Sequence, residues 1–200
     1  MNRLLKSLYR KAWFEGPDQG LYLTYDDGPD PEGSLAFAQE LAQRGIKATF
    51  FCLGTALEKV PEYPEALLAL NHSVGYHGYA HLSGFSTPQR AYLRNFERPK
   101  GFPSRLLRVP YGRILPGAYR RLSRDWQMVF WSHMPGDYRP ALDAEALWPH
   151  LEASLQPGAV VALHDRGEAL QKQWKLLDAL EKAIAQRGLE AKSLPMAERK

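Results

Sequence analysis

Short apolar runs alternate with helical patterns along most of this chain. Leu21-Tyr22-Leu23-Thr24-Tyr25 reads as a strand, rich in aromatic and β-branched residues. A helical pattern starts near Leu35, with Ser34 placed to cap it and Gly45 to stop it. Ala48 to Leu53 is a continuous apolar run, as in a strand covered on both faces. A second helix is predicted from about Glu62 to Leu70, followed by a strand at Ser73 to Tyr76. Further strands are predicted at Leu106 to Val109, Gln127 to Trp131 and Ala159 to Leu163. Leu170, Trp174, Leu177, Leu180 and Ile184 recur at helical spacing until Gly188, and a last short strand is expected near Glu190 to Ser193. About seven strands interleaved with helices predict an α/β fold of parallel units, wound as an open sheet or a barrel.

The polar residues fall at the strand ends. Asp26-Asp27-Gly28 follows the first strand, His77 and His81 the third, and Tyr111-Gly112 the fourth. His133 to Asp137 follows the fifth, and His164-Asp165 the sixth. In parallel α/β folds the carboxyl ends of the strands share one rim, where chemistry sits. Each group alone has a plain structural use: Asp26-Asp27 as an Asx turn before Gly28-Pro29, His164 as a satisfied core histidine, Arg108 as a surface arginine. Together they form a constellation. His77 and His81, four apart, are expected on one side of a helical turn. With one aspartate they make a three-ligand set with open positions, the pattern of a catalytic metal. Arg108 is placed to keep a carboxylate ionised. The Tyr111 N–H is a candidate oxyanion donor, and His164, with Asp137 as neighbour, a candidate general acid.

Composition narrows the options. At 200 residues and 22.7 kDa, with 44% apolar and 24% charged residues, the chain is a globule of about one domain. No run approaches the roughly 20 apolar residues of a membrane span. A single cysteine, Cys52, excludes an internal disulfide framework and a CxxC metal site, so any ion must be held by His and carboxylates. The net charge of +4 is unevenly spread: residues 1–19 form a basic N-terminal segment, with Arg3, Lys6, Arg10 and Lys11 before any acid. Leu4, Leu5, Leu8, Ala12 and Trp13 alternate with those bases as in a surface-lying helix making weak membrane contact. The segment has no apolar core of a secretory signal, so a cytoplasmic location is expected. Between Arg90 and Arg124 ten Lys/Arg face one acid, Glu97. The aromatics there (Tyr92, Phe96, Phe102, Tyr111, Tyr119) form no stacking platform, which argues against nucleic acid as partner.

In order and content these residues resemble the NodB-homology polysaccharide deacetylases, carbohydrate esterase family 4. Thr24 to Pro29, His77 to His81, Arg108 to Gly112, Gly136-Asp137-Tyr138 and Leu163-His164-Asp165 match that family's five motifs. Gly78 stands where the second motif usually has Ser or Thr, and Tyr138 where the fourth has Trp. The resemblance implies a distorted (β/α)7 barrel over residues 20–195. It also implies one divalent ion, usually Zn2+, on Asp27, His77 and His81. Asp26 would be the general base steadied by Arg108, His164 the general acid tuned by Asp137, and Tyr111 N–H an oxyanion donor. The expected activity is removal of acetyl groups, N-acetyl above all, from a chitooligosaccharide or peptidoglycan glycan. A lipid- or phosphate-linked amino sugar is the alternative substrate, and no obligate protein partner is evident. Two rival classes use the same residues: a non-haem iron oxygenase, whose two-His-one-carboxylate triad leaves Asp26, Arg108 and His164 idle, and an inactive anion- or glycan-binding module.

Overall fold

The computed structural model describes residues 3–196, with side chains from Lys6 onward. The expected apolar stripe of the N-terminal helix therefore lies partly outside the described residues, at the side chains of Leu4 and Leu5. In chain order the elements are α1 (Arg3–Leu8), β1 (Tyr22–Asp26), α2 (Ser34–Gln43), β2 (Ala48–Cys52), α3 (Gly54–Leu57), α4 (Tyr63–Ala69), β3 (Ser73–Tyr76) and α5 (Gln89–Arg94). They continue with β4 (Leu106–Leu107), a 3-10 turn (Pro110–Gly112), α6 (Pro116–Leu122), β5 (Gln127–Met128), α7 (Ala144–Ser154), β6 (Val160–His164) and α8 (Gly167–Gln186).

All strand pairs are parallel, in the order β5-β4-β3-β2-β1-β6. The sheet curls until its ends meet. Beyond β5 the chain runs on to His133, which bridges Val161 of β6, and the N–H of Ala162 donates to the His133 carbonyl at 2.9 Å. One stretch thus pairs with β4 at its start and with β6 at its end, which closes a distorted barrel. The segment expected as a seventh strand contributes a single parallel bridge, Leu21 to Ala191. Its continuation crosses the barrel floor, where the Leu194 N–H donates to Thr49 Oγ1 and its carbonyl accepts from Ser73 Oγ.

The strands read as unbroken apolar runs because both faces are covered. Leu23, Tyr25, Phe50, Val74, Leu107, Val161 and Leu163 face outward into the core beneath the helices. Tyr22, Phe51, Leu106, Val129, Val160 and Leu194 fill the lower barrel as a second cluster. Gly75 is needed opposite Phe51, since a Cβ there would lie 2.4 Å from the ring. With period two, the next inward positions are Thr24, Asp26, His77, Arg108 and His164, so the polar groups stack above this apolar plug.

Several local features differ from the sequence expectation. Gly33, not Ser34, occupies the N-cap of α2. Ser34 is the first helical residue, and its hydroxyl donates to the Asp165 carbonyl while accepting from Asp30 N–H. β4 and β5 shrink to two residues each, because Pro110 ends one register and the other must cross to β6. The helices α5 and α6 are short, and α7 carries an internal Pro149, which blurs its periodicity; Asp143 caps α7 by accepting from Ala146 N–H. The segment ahead of β1 packs against the barrel wall: Phe14 stacks on Phe130 at 4.8 Å, and Tyr9 donates to the Ile114 carbonyl. No helix among the described residues is long and apolar enough to cross a membrane.

Candidate active site

The end of β1 delivers both acids. Asp26 points into the barrel as the last strand residue and is almost wholly buried. Asp27 adopts φ +76°, so the chain turns at once and the second carboxylate also faces the mouth. Asp165 props this turn from β6. Its carboxylate accepts from Gly28 N–H and from the Tyr63 hydroxyl, and a side chain at Gly28 would collide with it at 2.3 Å. Burial raises the Asp165 carboxyl to about 7.

His77 leaves β3 and His81 follows in a loop rather than the helical turn that their spacing suggested. Gly78, at φ +86°, makes the bend. Asn95 clamps it: its side chain accepts from Ala80 N–H at 2.8 Å and donates to the Ala80 carbonyl at 2.9 Å, and its own carbonyl takes Tyr79 N–H. The two Nε2 atoms lie 3.4 and 3.3 Å from Asp27 Oδ1. His77 Nδ1 is 2.8 Å from the Arg108 carbonyl, a partner that accepts only, so the proton sits on Nδ1 and Nε2 is left with its lone pair. Burial first of all keeps both imidazoles below the usual histidine range, hence neutral.

Asp27 Oδ1 is buried and makes no hydrogen bond, although two imidazole nitrogens stand beside it. An orphaned carboxylate oxygen facing two neutral nitrogens is the donor set of a divalent metal, and the three ligand atoms lie within 4.8 Å of one another. The residues present fit such an ion.

Two charged pairs flank this cluster. Arg108 is fully buried inside the barrel, stacked over Phe51 at 4.3 Å. It donates to Asp26 Oδ1 at 2.9 Å, to Thr24 Oγ1 at 2.6 Å, and to the Phe130 carbonyl. Burial would raise the Asp26 carboxyl, but the charge of Arg108 above all, and that of His164 after it, hold it below its ordinary value. On the other side Asp137 Oδ1 meets His164 Nδ1 at 2.9 Å, and Asp137 Oδ2 accepts from His164 N–H and Gln173 Nε2. Burial would lower the imidazole, yet the hydrogen bond and charge of Asp137, with Asp26 and Asp27 behind it, push it up to about 9. Tyr111 closes one wall with its ring 4.4 Å from that of His81. Its backbone sits at φ +59°, and its N–H takes no partner among the described residues.

These groups surround a cavity of about 300 Å3 at the barrel mouth. Asp26, Asp27, His77, His81, Tyr111 and His164 line it, with Val109, Trp131, Met134 and Tyr138 as its apolar side. Arg108 and Asp137 stand directly behind. All eight residues singled out from the sequence therefore gather at one site.

The profile of the family described as polysaccharide deacetylase matches residues 15–130. The chain belongs to this family. Relatives to which this deacetylase-family chain is similar include a peptidoglycan-N-acetylglucosamine deacetylase of Bacillus cereus (30% identical; 86% of this chain, 66% of the relative) and a chitooligosaccharide deacetylase of Bradyrhizobium (31%; 88% of this chain, 90% of the relative). Among solved structures, a peptidoglycan N-acetylglucosamine deacetylase in complex with an N-oxidanyl-benzamide superposes with a TM-score of 0.85 at 26% identity, over 98% of this chain and 99% of the other. The Bacillus subtilis family 4 carbohydrate esterase PdaA shares the fold, with a TM-score of 0.74 at 22% identity over 96% of this chain and 87% of the other.

Three supporting residues of this member of the family escape sequence reasoning. Asn95, Gln173 and Lys172 sit mid-chain or mid-helix with no motif around them. Lys172, buried on α8, donates to the carbonyls of Asp137 and Arg139 and so anchors the loop that carries Asp137. The one available signal is two polar residues on the inward face of an otherwise apolar helical stripe.

Proposed function

We propose that this chain is a metal-dependent hydrolase that removes the acetyl group from N-acetylated amino sugars of a glycan, a chitooligosaccharide or peptidoglycan strand. One observation carries the reading: the Asp26 carboxylate bonded to Arg108 and the His164 imidazole bonded to Asp137 line one cavity with Asp27, His77 and His81, a cluster that could hold a metal ion. The names of the relatives, which act on peptidoglycan N-acetylglucosamine and on chitooligosaccharides, support the substrate class.

Asp27, His77 and His81 would hold the ion, Zn2+ by the character of the donors. When bound, a divalent ion supplies Lewis acidity for an amide carbonyl and brings the pKa of a bound water toward about 7. Asp26, kept ionised by Arg108, takes the proton of the attacking water. The free N–H of Tyr111 is available to the carbonyl oxygen as that atom gains negative charge; one such donor is worth ~10²–10³ in kcat. His164 delivers its proton to the departing nitrogen, a step that an amide needs far more than an ester. Trp131, Met134 and Tyr138 exclude water and give the acetyl methyl an apolar wall.

The test is acetate release from N-acetylglucosamine oligomers, with chelator and with zinc restored. Chelation should abolish turnover and zinc recover it. Asp26→Asn should bind zinc normally but lose roughly 10²–10⁴ in kcat, whereas His77→Ala should lose the metal itself. Wild-type turnover by Asp26→Asn, or acetate release indifferent to chelator, would overturn the assignment.

A further inference from the structure

A second cleft, of about 790 Å3 against about 300 Å3 for the mouth, lies on the outer wall between α5 and α6. It shares no lining residue with the mouth. Arg90 and Arg94 come from α5, Arg121 from α6, Arg98 from the loop after α5, and Arg105 from the turn into β4. None of these five guanidinium groups has a hydrogen bond or ion pair among the described residues. Arg44 and Arg187 are engaged, the first with Glu40, Asp178 and Glu181 and the second with Glu152, whereas Arg120 and Arg124 of the neighbouring cleft share with these five the lack of such a partner among the described residues. The cleft's two acids, Glu97 and Asp125, pair with none of the five.

Arg105 adds an independent observation. It is half-buried at the back of the cleft, and its Nε is sealed from solvent with no acceptor. A buried N–H without a partner is costly, and a guanidinium is built to give such protons to an oxyanion in pairs. We propose that this cleft binds a linear phosphate polymer through its successive phosphate groups. Each phosphate of such a chain stays charged through the neutral range and accepts an arginine fork bidentately, so a repeating row of them matches a row of guanidinium groups. A concave wall with a recessed arginine admits a chain and keeps out the flat surface of a bilayer. The aromatic residues here, Phe96 and Trp126, are buried, and the indole N–H is spent on the Phe96 carbonyl, so no ring face is offered to a nucleobase. Recognition therefore rests on phosphates alone.

The experiment titrates the full chain with inorganic polyphosphate by calorimetry, using charge-matched double variants. Arg94→Gln with Arg121→Gln removes two exposed arginines of the cleft. Arg10→Gln with Arg124→Gln removes two from the neighbouring cleft that Arg10, Lys11, Arg120 and Arg124 line beside α1. The first pair should weaken binding about tenfold or more and the second less than about twofold, with acetate release unchanged in both. Arg105→Gln should weaken binding by a similar factor to the first pair and abolish the rise in melting temperature that polyphosphate gives the parent. Equal losses in the two double variants would reduce the effect to a general basic field and overturn the proposal. So would absence of polyphosphate binding, tighter binding of single-stranded DNA, or binding confined to phosphatidylglycerol vesicles.

Discussion

Both carboxylate oxygens of Asp137 are engaged: Oδ1 serves the His164 ring, and Oδ2 serves the His164 backbone and Gln173. The arrangement fixes a tautomer and a charge at once. Because the imidazole is pushed up to about 9, the protonated form prevails below that pH and is lost as pH rises through it. Activity that depends on this proton should hold across neutral pH and fall on an alkaline limb near 9. Asp137→Asn removes the charge that does most of the raising, so the limb should move toward the ordinary histidine value of about 6.5. At pH 8 the protonated fraction then drops roughly ten- to thirtyfold. Paired kcat–pH profiles of parent and variant measure the displacement, and an unmoved limb would separate His164 from the proton transfer.

At the scale of elements, the loops matter more than the strands. The strand ends were legible because inward polar residues follow apolar runs at Asp26, His77, Arg108 and His164, whatever the exact register. The loop between His77 and His81 was not, since a spacing of four is equally compatible with a helix and with a bend at a left-handed glycine. Nor could sequence pattern assign Asn95, whose contribution exists only after α5 packs beside the loop. Asn95→Ala leaves the Ala80 N–H and carbonyl without their clamp and frees His81. Supports of this kind typically change metal affinity 10–100-fold. Zinc titration against a competing chelator should show a loss of about that size, with a smaller change in kcat at saturating zinc. How the barrel closes was also hidden, because residues 127–131 read as one ordinary strand, with His133 beyond its end, while the stretch from 127 to 133 serves two neighbours.

The whole molecule is held shut from below. Leu194 is fully buried in the inner cluster and ties the crossing tail to β2 and β3. The expected seventh strand thus acts as a floor rather than a stave, a role that a short, weakly patterned terminal segment does not announce. Leu194→Ala should lower unfolding free energy by about 2–4 kcal/mol, read by denaturant titration. The rate per folded molecule should stay near that of the parent, because the mouth lies at the opposite end of the strands. A proportional loss of kcat would mean that floor and mouth are mechanically joined.

The guanidinium enclosed within the staves carries a constraint. Arg108 cannot shed its proton, and Asp26 is the carboxylate that neutralises it. Stranding such a charge costs several kcal/mol, about 3–5 for a buried pair broken on one side. Replacing the acid by a neutral residue leaves that charge uncompensated, so the carboxylate serves the stability of the barrel as well as its chemistry, and a variant that changes both partners together should recover stability without recovering turnover.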